Sequence, residues 1–274
     1  MPKTMDEYYE RSCENEKKKD EIIEPDPVVD ERFKYFPKTE LTVKKYNNPP
    51  GSPIINLANL KEKRHIMSTP VLSPDYTKVA YSSVYYMPER KYTSSEVFYI
   101  PAYKGKPLKG RLRLANVKDR ERIPLVETGI GDSYVDINRT LTILDWSKDS
   151  QKLAVIEKIS YRNEMPWQTN LWVYDFKSKK ANKLTEVREA IRYYWLNHEK
   201  FDINDYEWDI KPIGWDANQG DNLIVLGFAY TKDKVPKFLG AWSVNSEGKR
   251  SKLLSLTMAD FDISINGYTL KIKL

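Results

Sequence analysis

The chain has little of the chemistry on which most catalytic and metal sites depend. Its 274 residues include one cysteine and two histidines. A single thiol, Cys13, cannot form an internal disulfide, and with His65 and His198 it is too small a set for a structural zinc site. No apolar run reaches the roughly 18 residues that a membrane-spanning helix needs. We therefore expect no metal, no other cofactor and no transmembrane segment.

The short motifs of the common enzyme classes are also missing. His198-Glu199 is not followed by the second histidine of a zinc peptidase, and no G-x-S-x-G nucleophile turn occurs. The glycines at 129 and 131 lack the lysine and Ser/Thr that complete a phosphate-binding loop. His65 has no partner motif that would make it a general base. We therefore assign no catalytic residue and expect a protein that is not an enzyme.

The net charge of +6 conceals two regions of opposite sign. Residues 1–40 hold eight bases against twelve acids, a net charge of −4, while the rest holds 37 bases against 27 acids, a net charge of +10. Residues 1–39 are also poor in large apolar side chains, which predicts a charged acidic arm rather than a folded domain. We expect the arm to dock onto the basic body or onto a partner, and the alternative is a solvated tail with no role.

The start of the chain also bears on its compartment. No hydrophobic signal segment opens the sequence. We expect a periplasmic or other extracytoplasmic protein if an export signal has been removed, and a cytoplasmic protein otherwise.

From residue 40 onward the sequence predicts an all-β protein. Short segments rich in Val, Ile, Tyr, Trp and Thr alternate with turn residues. A strand, a polar turn and a second strand recur at residues 71–81, 145–155 and 214–225. Each recurrence is followed by a further strand and a hairpin. Four antiparallel strands in each repeat are typical of one propeller blade.

The second repeat resembles the WD40-like repeat of the TolB-type β-propeller family. Its elements are, in order, Trp146-Ser147-Lys148-Asp149, Leu153-Ala154-Val155, Leu171-Trp172-Val173-Tyr174-Asp175 and the closing Leu184-Thr185. The first repeat keeps Ser73-Pro74-Asp75 but has Leu72 where the family has tryptophan, and the third is looser. The resemblance implies a propeller over residues 40–274. It implies little about activity, because the repeat occurs in binding proteins and in non-catalytic domains of peptidases.

The two ends of the chain look like parts of one blade. Residues 262–272 fit only the first two strands of a fourth repeat, and residues 40–44 and 54–57 would supply its outer strands. Pairing the ends removes two exposed sheet edges. We therefore expect a small β-propeller of about four blades, closed by N- and C-terminal strands and carrying one helical insertion. An open arc of blades is the alternative.

Two blades are long enough to carry insertions, at about 103–122 and 186–211. The first insertion is strongly basic, which suits phosphate, an anionic surface or an acidic protein. We select its bases as partner-binding residues, and they are Lys104, Lys106, Lys109, Arg111 and Arg113. The alternative is a charged hairpin edge that merely prevents aggregation.

The second insertion begins with apolar residues at helical spacing. Val187, Ile191, Tyr194, Trp195 and His198 fall on one face, which predicts a helix packed on a blade. Aromatic residues also dominate protein interfaces. We therefore select as exposed partner anchors Tyr194, Trp195, Tyr206 and Trp208. The acids between 202 and 209 lack the glycine-turned loop of a calcium site, so no metal is assigned.

Three functions fit these patterns. The leading hypothesis is a non-enzymatic scaffold that presents loops to a protein partner or to another copy of itself. A second is a carbohydrate-binding or hydrolytic propeller with its site at the channel mouth. A third is a binder of anionic surfaces or nucleic acid through residues 104–122, with nucleic acid disfavoured because few aromatic residues accompany the bases.

Overall fold

The computed structural model describes nine segments of the chain. They are residues 41–45, 64–90, 92–101, 121–123, 137–161, 168–230, 236–257, 261–265 and 268–272. The acidic arm and the selected bases from Lys104 to Arg113 lie outside the described residues.

Strands dominate the described residues, as the sequence predicts. The sixteen strands are β1 (Leu41–Lys45), β2 (Arg64–Met67), β3 (Val71–Leu72), β4 (Lys78–Met87), β5 (Tyr92–Pro101), β6 (Glu121–Ile123), β7 (Ile137–Trp146), β8 (Lys152–Tyr161), β9 (Gln168–Asp175), β10 (Lys180–Lys183), β11 (Glu207–Asp216), β12 (Asn222–Tyr230), β13 (Pro236–Asn245), β14 (Ser251–Ser255), β15 (Phe261–Ile265) and β16 (Tyr268–Ile272). One α-helix, α1 (Glu186–Asn197), and short 3₁₀ turns at Pro88–Arg90 and Ile203–Asp205 complete the described elements. The prediction of an all-β protein with one helical insertion is confirmed.

The three sequence repeats fold as three successive antiparallel units, which we call blades I, II and III. Blade I contains β2 to β6, with β2 and β3 forming consecutive pieces of one edge along β4. Blade II contains β7, β8, β9 and β10 in that order. Blade III contains β11, β12, β13 and β14 in that order. Each polar turn of the repeat joins the first strand of its blade to the second.

The blades pack face to face through apolar side chains. Between blades I and II, Val97 and Ile123 meet Leu141 and Trp172. Between blades II and III, helix α1 joins the packed layer. Alternation along the strands places these residues on the inward faces, because successive side chains of a strand point to opposite sides.

The N-terminal strand pairs with the C-terminal strands, but in an arrangement different from the expected one. β1 is parallel to β15, with Leu41 opposite Phe261, and antiparallel to β11, with Val43 opposite Asp216. The sheet order is therefore β14-β13-β12-β11-β1-β15-β16. β1 was expected as an outer strand next to β16, whereas it lies between β15 and the first strand of blade III. The other expected outer strand, residues 54–57, lies outside the described residues.

Apolar packing gives the physical reason for this position of β1. Leu41 and Val43 of β1 form one buried cluster with Ile224 and Leu226 of β12 and with Ile263 of β15. These strands cover the face of blade III that points away from blade II. Exposing that face to water would cost free energy in proportion to its apolar area.

We predict that Val43→Ala lowers the free energy of unfolding by about 2 kcal/mol, because two methyl groups leave a buried site. Val43 is 0% exposed. Urea denaturation measures the change, and the half-buried neighbour Thr42 provides the control Thr42→Ala. Equal effects of the two substitutions would contradict the conclusion that β1 covers the apolar face of blade III.

Candidate functional site

The polar turn of the repeat is held by bonds from its own side chains. In blade I, Ser73 Oγ donates to Asp75 Oδ1 at 2.6 Å, and the backbone N–H of Lys78 donates to Ser73 Oγ at 2.9 Å. Asp75 Oδ1 also accepts the N–H of Thr77 at 2.9 Å. The same three kinds of bond recur in loop 147–152 of blade II. The Ser-x-Asp spacing is therefore a structural requirement of the turn.

In the turns of blades I and II, one residue that is not glycine adopts a left-handed backbone conformation. It is Tyr76 in blade I, with φ of 60°, and Ser150 in blade II, with φ of 61°. Ser150 is buried, whereas Tyr76 is 55% exposed. A bulky residue at positive φ is uncommon and strained, so Tyr76 is distinguished by both its backbone and its exposure.

The turns of neighbouring blades are bonded to one another. The N–H of Asp75 donates to Ser150 Oγ at 3.0 Å, and Lys78 Nζ donates to the carbonyl of Ser150 at 3.1 Å. Lys152 occupies in blade II the position that Lys78 occupies in blade I, and it forms an ion pair with Asp221 of blade III. The repeat lysine thus reaches the turn of the next blade.

The repeat tryptophan ties each blade to the preceding one. Trp146 Nε1 donates to the carbonyl of Val71 in blade I at 2.9 Å, and Trp215 Nε1 donates to the carbonyl of Asp145 in blade II at 3.2 Å. Both indole rings are fully buried. The corresponding residue of blade I is Leu72. Blade I therefore lacks the indole N–H that would bond to a preceding blade.

These bonds bring five loops to one level at one end of the blades. Phe176 N–H donates to the carbonyl of Gln151 at 2.9 Å, and Ser246 N–H donates to the carbonyl of Asp221 at 3.0 Å, which places the outer hairpins beside the repeat turns. We call this surface the tip face. It consists of residues 73–78, 147–152, 175–180, 216–222 and 245–250.

A buried polar layer lies between blades I and II, away from the tip face. Arg139 forms an ion pair with Glu157, whose Oε2 also accepts Asn170 Nδ2 at 3.0 Å and Trp172 Nε1 at 2.9 Å. Arg139 and Glu157 are each 3% exposed. A buried carboxylate is tolerated here because a cation and two further donors satisfy it.

A second polar pair occupies the corresponding positions of blade I. His65 Nε2 lies 2.5 Å from Ser83 Oγ. Strand register aligns His65 with Tyr85, as it aligns Arg139 of blade II with Ile159. Because the pair repeats the positions of a structural ion pair, we interpret it as a structural contact and not as a nucleophile with its base.

Helix α1 lies between blades II and III. Its residues Val187, Ile191, Tyr194 and Trp195 are buried, as the helical spacing predicts. His198 lies on the same face, with its ring stacked on Tyr194 at 5.1 Å, but it is exposed. A close approach to blade III requires Gly227, because a Cβ there would lie 3.0 Å from Leu239 Cβ and 3.3 Å from Ile191 Cδ1.

An ionic contact joins the helix to both blades. Asp209 of blade III accepts the N–H of Thr169 at 3.0 Å and its hydroxyl at 2.6 Å, and also pairs with Arg188 of the helix. The Arg188 guanidinium lies 4.8 Å from the Trp208 ring. Burial lowers the pKa of Arg188, although the charge and hydrogen bond of Asp209 oppose that change. Arginine nonetheless stays charged in proteins, so the contact is an ion pair.

The selected aromatic anchors do not form one open surface. Tyr194 is 1% and Trp195 is 8% exposed. Their rings fill the layer between blades II and III, which corrects the expectation that they are exposed. Tyr206 and Trp208 are half-buried, with Tyr206 stacked on Phe201 at 4.8 Å. Partner binding through these four residues stays a prediction.

Burial also explains the chemistry of the Tyr194 hydroxyl. It donates to Glu199 Oε1 at 3.2 Å. Burial raises the pKa of Tyr194 well above its usual value, and the charge and hydrogen bond of Glu199 raise it further. The hydroxyl therefore remains a donor and is not suited to act as a base.

Sequence reasoning missed the exposed apolar side chains. Among the described residues the large ones are Met67, Tyr76, Tyr193, Leu196 and Tyr230. A signal existed for Tyr76, because it replaces a small residue of the second repeat inside an otherwise matching turn. The sequence offered no such signal for the others.

The described segments offer neither a metal site nor a membrane-spanning helix. There, no three residues of the His, Cys, Asp or Glu types are grouped so that they could hold a metal ion. Within the same segments, no helix is long and apolar enough to cross a membrane.

Comparison with known proteins gives weak likenesses. No protein-family model and no curated protein matches the chain. A crystal structure of TolB from Acinetobacter baumannii is similar over 73% of this chain and 35% of its own, at 14% identity and a TM-score of 0.33. An acylaminoacyl peptidase from Pyrococcus horikoshii is similar over 69% of this chain and 24% of its own, at 16% identity and a TM-score of 0.37. The chain thus spans about a third or less of the length of these proteins. Its propeller-type fold is evident from its own blades.

We predict that Trp215→Phe lowers the free energy of unfolding by about 1–3 kcal/mol, because a buried interblade hydrogen bond and part of a ring are lost. Trp208→Phe is the matched control, since Trp208 is half-buried and packs at the helix. Urea denaturation compares the two. A loss for Trp215→Phe no larger than that of the control would contradict the proposed tie between blades.

We predict an acid-dependent contribution from Asp75. Partial burial by itself raises the pKa of Asp75, but hydrogen bonds from Ser73 and Thr77 and the charge of Lys78 outweigh it, so the pKa lies below its usual value. Ionised Asp75 therefore stabilises the fold above the unfolded-state pKa of about 3.9, and this contribution disappears as pH falls through the folded-state pKa.

Denaturation of wild type and Asp75→Asn as a function of pH measures this contribution. Wild type should be the more stable protein at neutral pH, and the difference should vanish in acid. A difference that is independent of pH would show that Asp75 acts without its charge.

Proposed function

We propose that this chain is a non-enzymatic binding scaffold, a small TolB-type propeller of about four blades that presents loops to a macromolecular partner. The observation that carries the proposal is that the repeat residues bond to one another and to neighbouring blades. Serine, aspartate, lysine and tryptophan of the repeat are engaged in bonds within a turn or between blades. Such bonds support a rigid frame for loops, since bonded side chains have few remaining donors and acceptors for a substrate.

The proposed fourth blade begins with the hairpin of β15 and β16. These strands pair from Phe261–Ile272 to Ile265–Tyr268, and β1 joins them to blade III. A closed ring would remove exposed strand edges, which supports closure as the simplest arrangement for a propeller.

The absence of enzymatic activity is part of the proposal. Two pairs of charged groups between blades neutralise each other, Arg139 with Glu157 and Arg188 with Asp209. The polar pair His65–Ser83 repeats a structural position. Catalytic groups are usually unpaired or strongly shifted inside a cleft, and these observations support a binding role instead.

The proposed partner is an acidic protein surface bound by the basic insertion. Lysine and arginine side chains of one sign raise association rates with oppositely charged partners and contribute little to folding stability. Residues 41–274 carry a net charge of +10, so an acidic partner is attracted to the body as a whole.

We predict that the combined change Lys106→Glu, Lys109→Glu, Arg111→Glu and Arg113→Glu weakens binding of fluorescent poly-glutamate by about tenfold or more at low salt, because attraction becomes repulsion at each site. Anisotropy measures the binding. The melting temperature should stay nearly unchanged, since exposed charges contribute little to stability.

The matched control reverses four exposed bases elsewhere, Lys158, Arg192, Lys200 and Lys211. Both variants change the net charge equally. Equal weakening by the two variants would show that total charge, and not the basic insertion, attracts the probe, and the proposed partner site would be abandoned.

A further inference from the structure

The tip face carries exposed cations that are not engaged with the protein itself. Lys148, Lys177, Lys179, Lys180 and Arg250 are exposed, and within the described segments their cationic groups form no ion pair or hydrogen bond. Four of the five are lysines of blade II, at the tips of its two hairpins.

The acids of the tip face are bonded to neighbouring groups, and Glu247, whose side chain is 58% exposed, pairs with Lys249. Asp75 and the corresponding carboxylate of loop 147–152 accept serine hydroxyls and backbone N–H groups. Asp175 accepts the N–H groups of Lys177 and Ser178 at 2.7 and 3.1 Å, and Asp221 pairs with Lys152. These carboxylates are therefore partly neutralised by their own partners, whereas the five exposed cations have no such partner within the described segments.

Charge also differs between the tip face and the segment that follows helix α1. The five loops of the tip face hold eight bases and six acids, a net charge of +2. Residues 198–207, at the opposite end of β11, hold one base and four acids, a net charge of −3. A strand of ten residues separates these ends by about 30 Å. A negatively charged plane would attract the tip face and repel residues 198–207.

The shape of the tip face indicates which kind of anion it fits. Five loops share one level, and their hydrogen bonds to one another keep them there. Four of the five unengaged cations are lysines, which act as point charges without the planar fork of arginine that recognises phosphate in a fixed geometry. Tyr76, 55% exposed, is the large exposed aromatic residue of this face, whereas single-stranded nucleic acid needs several stacking rings.

We propose that the tip face docks on the surface of an anionic lipid bilayer. Lys177, Lys179 and Lys180 contact the head groups, and Tyr76 lies at the interface, where amphipathic rings are enriched. The contact is peripheral, and the residues named for it are not those selected in the basic insertion. The proposed acidic protein partner does not depend on it.

Vesicle sedimentation tests the proposal. Wild type should bind phosphatidylcholine vesicles containing phosphatidylglycerol, more weakly at high salt, and should not bind vesicles of phosphatidylcholine alone. Lys177→Gln with Lys179→Gln and Lys180→Gln should weaken binding about a hundredfold, since each lysine near an anionic surface contributes about fivefold.

The matched control is Lys158→Gln with Lys200→Gln and Lys211→Gln, which should have little effect. Each triple contains one lysine at positive φ, Lys179 or Lys200, so backbone strain is comparable. Equal loss in both triples, or loss only when Lys106, Lys109, Arg111 and Arg113 are changed, would overturn the proposal.

Orientation gives an independent measurement. In a Cys13→Ser background, the chain has no other cysteine. An environment-sensitive dye attached through Ser178→Cys should shift to the blue with anionic vesicles, whereas the same dye attached through Asn204→Cys should not. A shift at position 204 alone, or equal shifts at both positions, would contradict docking by the tip face.

Discussion

The hydrogen bond from a buried indole to the backbone of the preceding blade is the contact on which the rest of the structure depends. Trp146 reaches Val71, and Trp215 reaches Asp145, so blades I, II and III are joined by one recurring interaction. A blade cannot bury both of its faces alone, and its strands are stable only when a neighbour covers them. Because the donor lies next to the polar turn, the same residues that join the blades also set the level of their turns.

The layer between blades II and III shows how this frame accommodates an insertion. Blade II meets blade I through a polar layer centred on Glu157, whereas blade III has Gly227 at the corresponding level and receives a helix there. Removing side chains from the strand makes space, and Ile191 fills it. The aromatic residues of the helix therefore contribute to the core. The ion pair of Arg188 with Asp209 then fixes the helix against both blades.

Charged side chains have different partners at the turns and at the residues that follow the helix. At the turns, aspartate carboxylates accept hydrogen bonds from serine hydroxyls and backbone N–H groups. Lysines at the hairpin tips of blade II, at the same end, form no ion pair within the described segments. The acids that follow the helix lie at the other end. The tip face and residues 198–207 therefore carry net charges of opposite sign. This arrangement suits a scaffold better than a catalytic cleft, which requires groups that converge on one point.

The sequence by itself determined most of the long strands, the three repeats and the helix, because alternation, turn residues and helical spacing are local properties of the chain. It did not indicate β2, and it assigned residues 207–211, the first half of β11, to the insertion. It also indicated the buried face of the helix, except for His198, which lies just beyond the helix end. The partners of β1 and the burial of Tyr194 and Trp195 were decided by the tertiary structure. An aromatic stripe has the same pattern whether it faces a blade or a partner, and only the packing of Gly227 against the helix distinguishes the two. The tip face was likewise decided by tertiary structure, because its five loops are distant in sequence and are brought together only by bonds between blades.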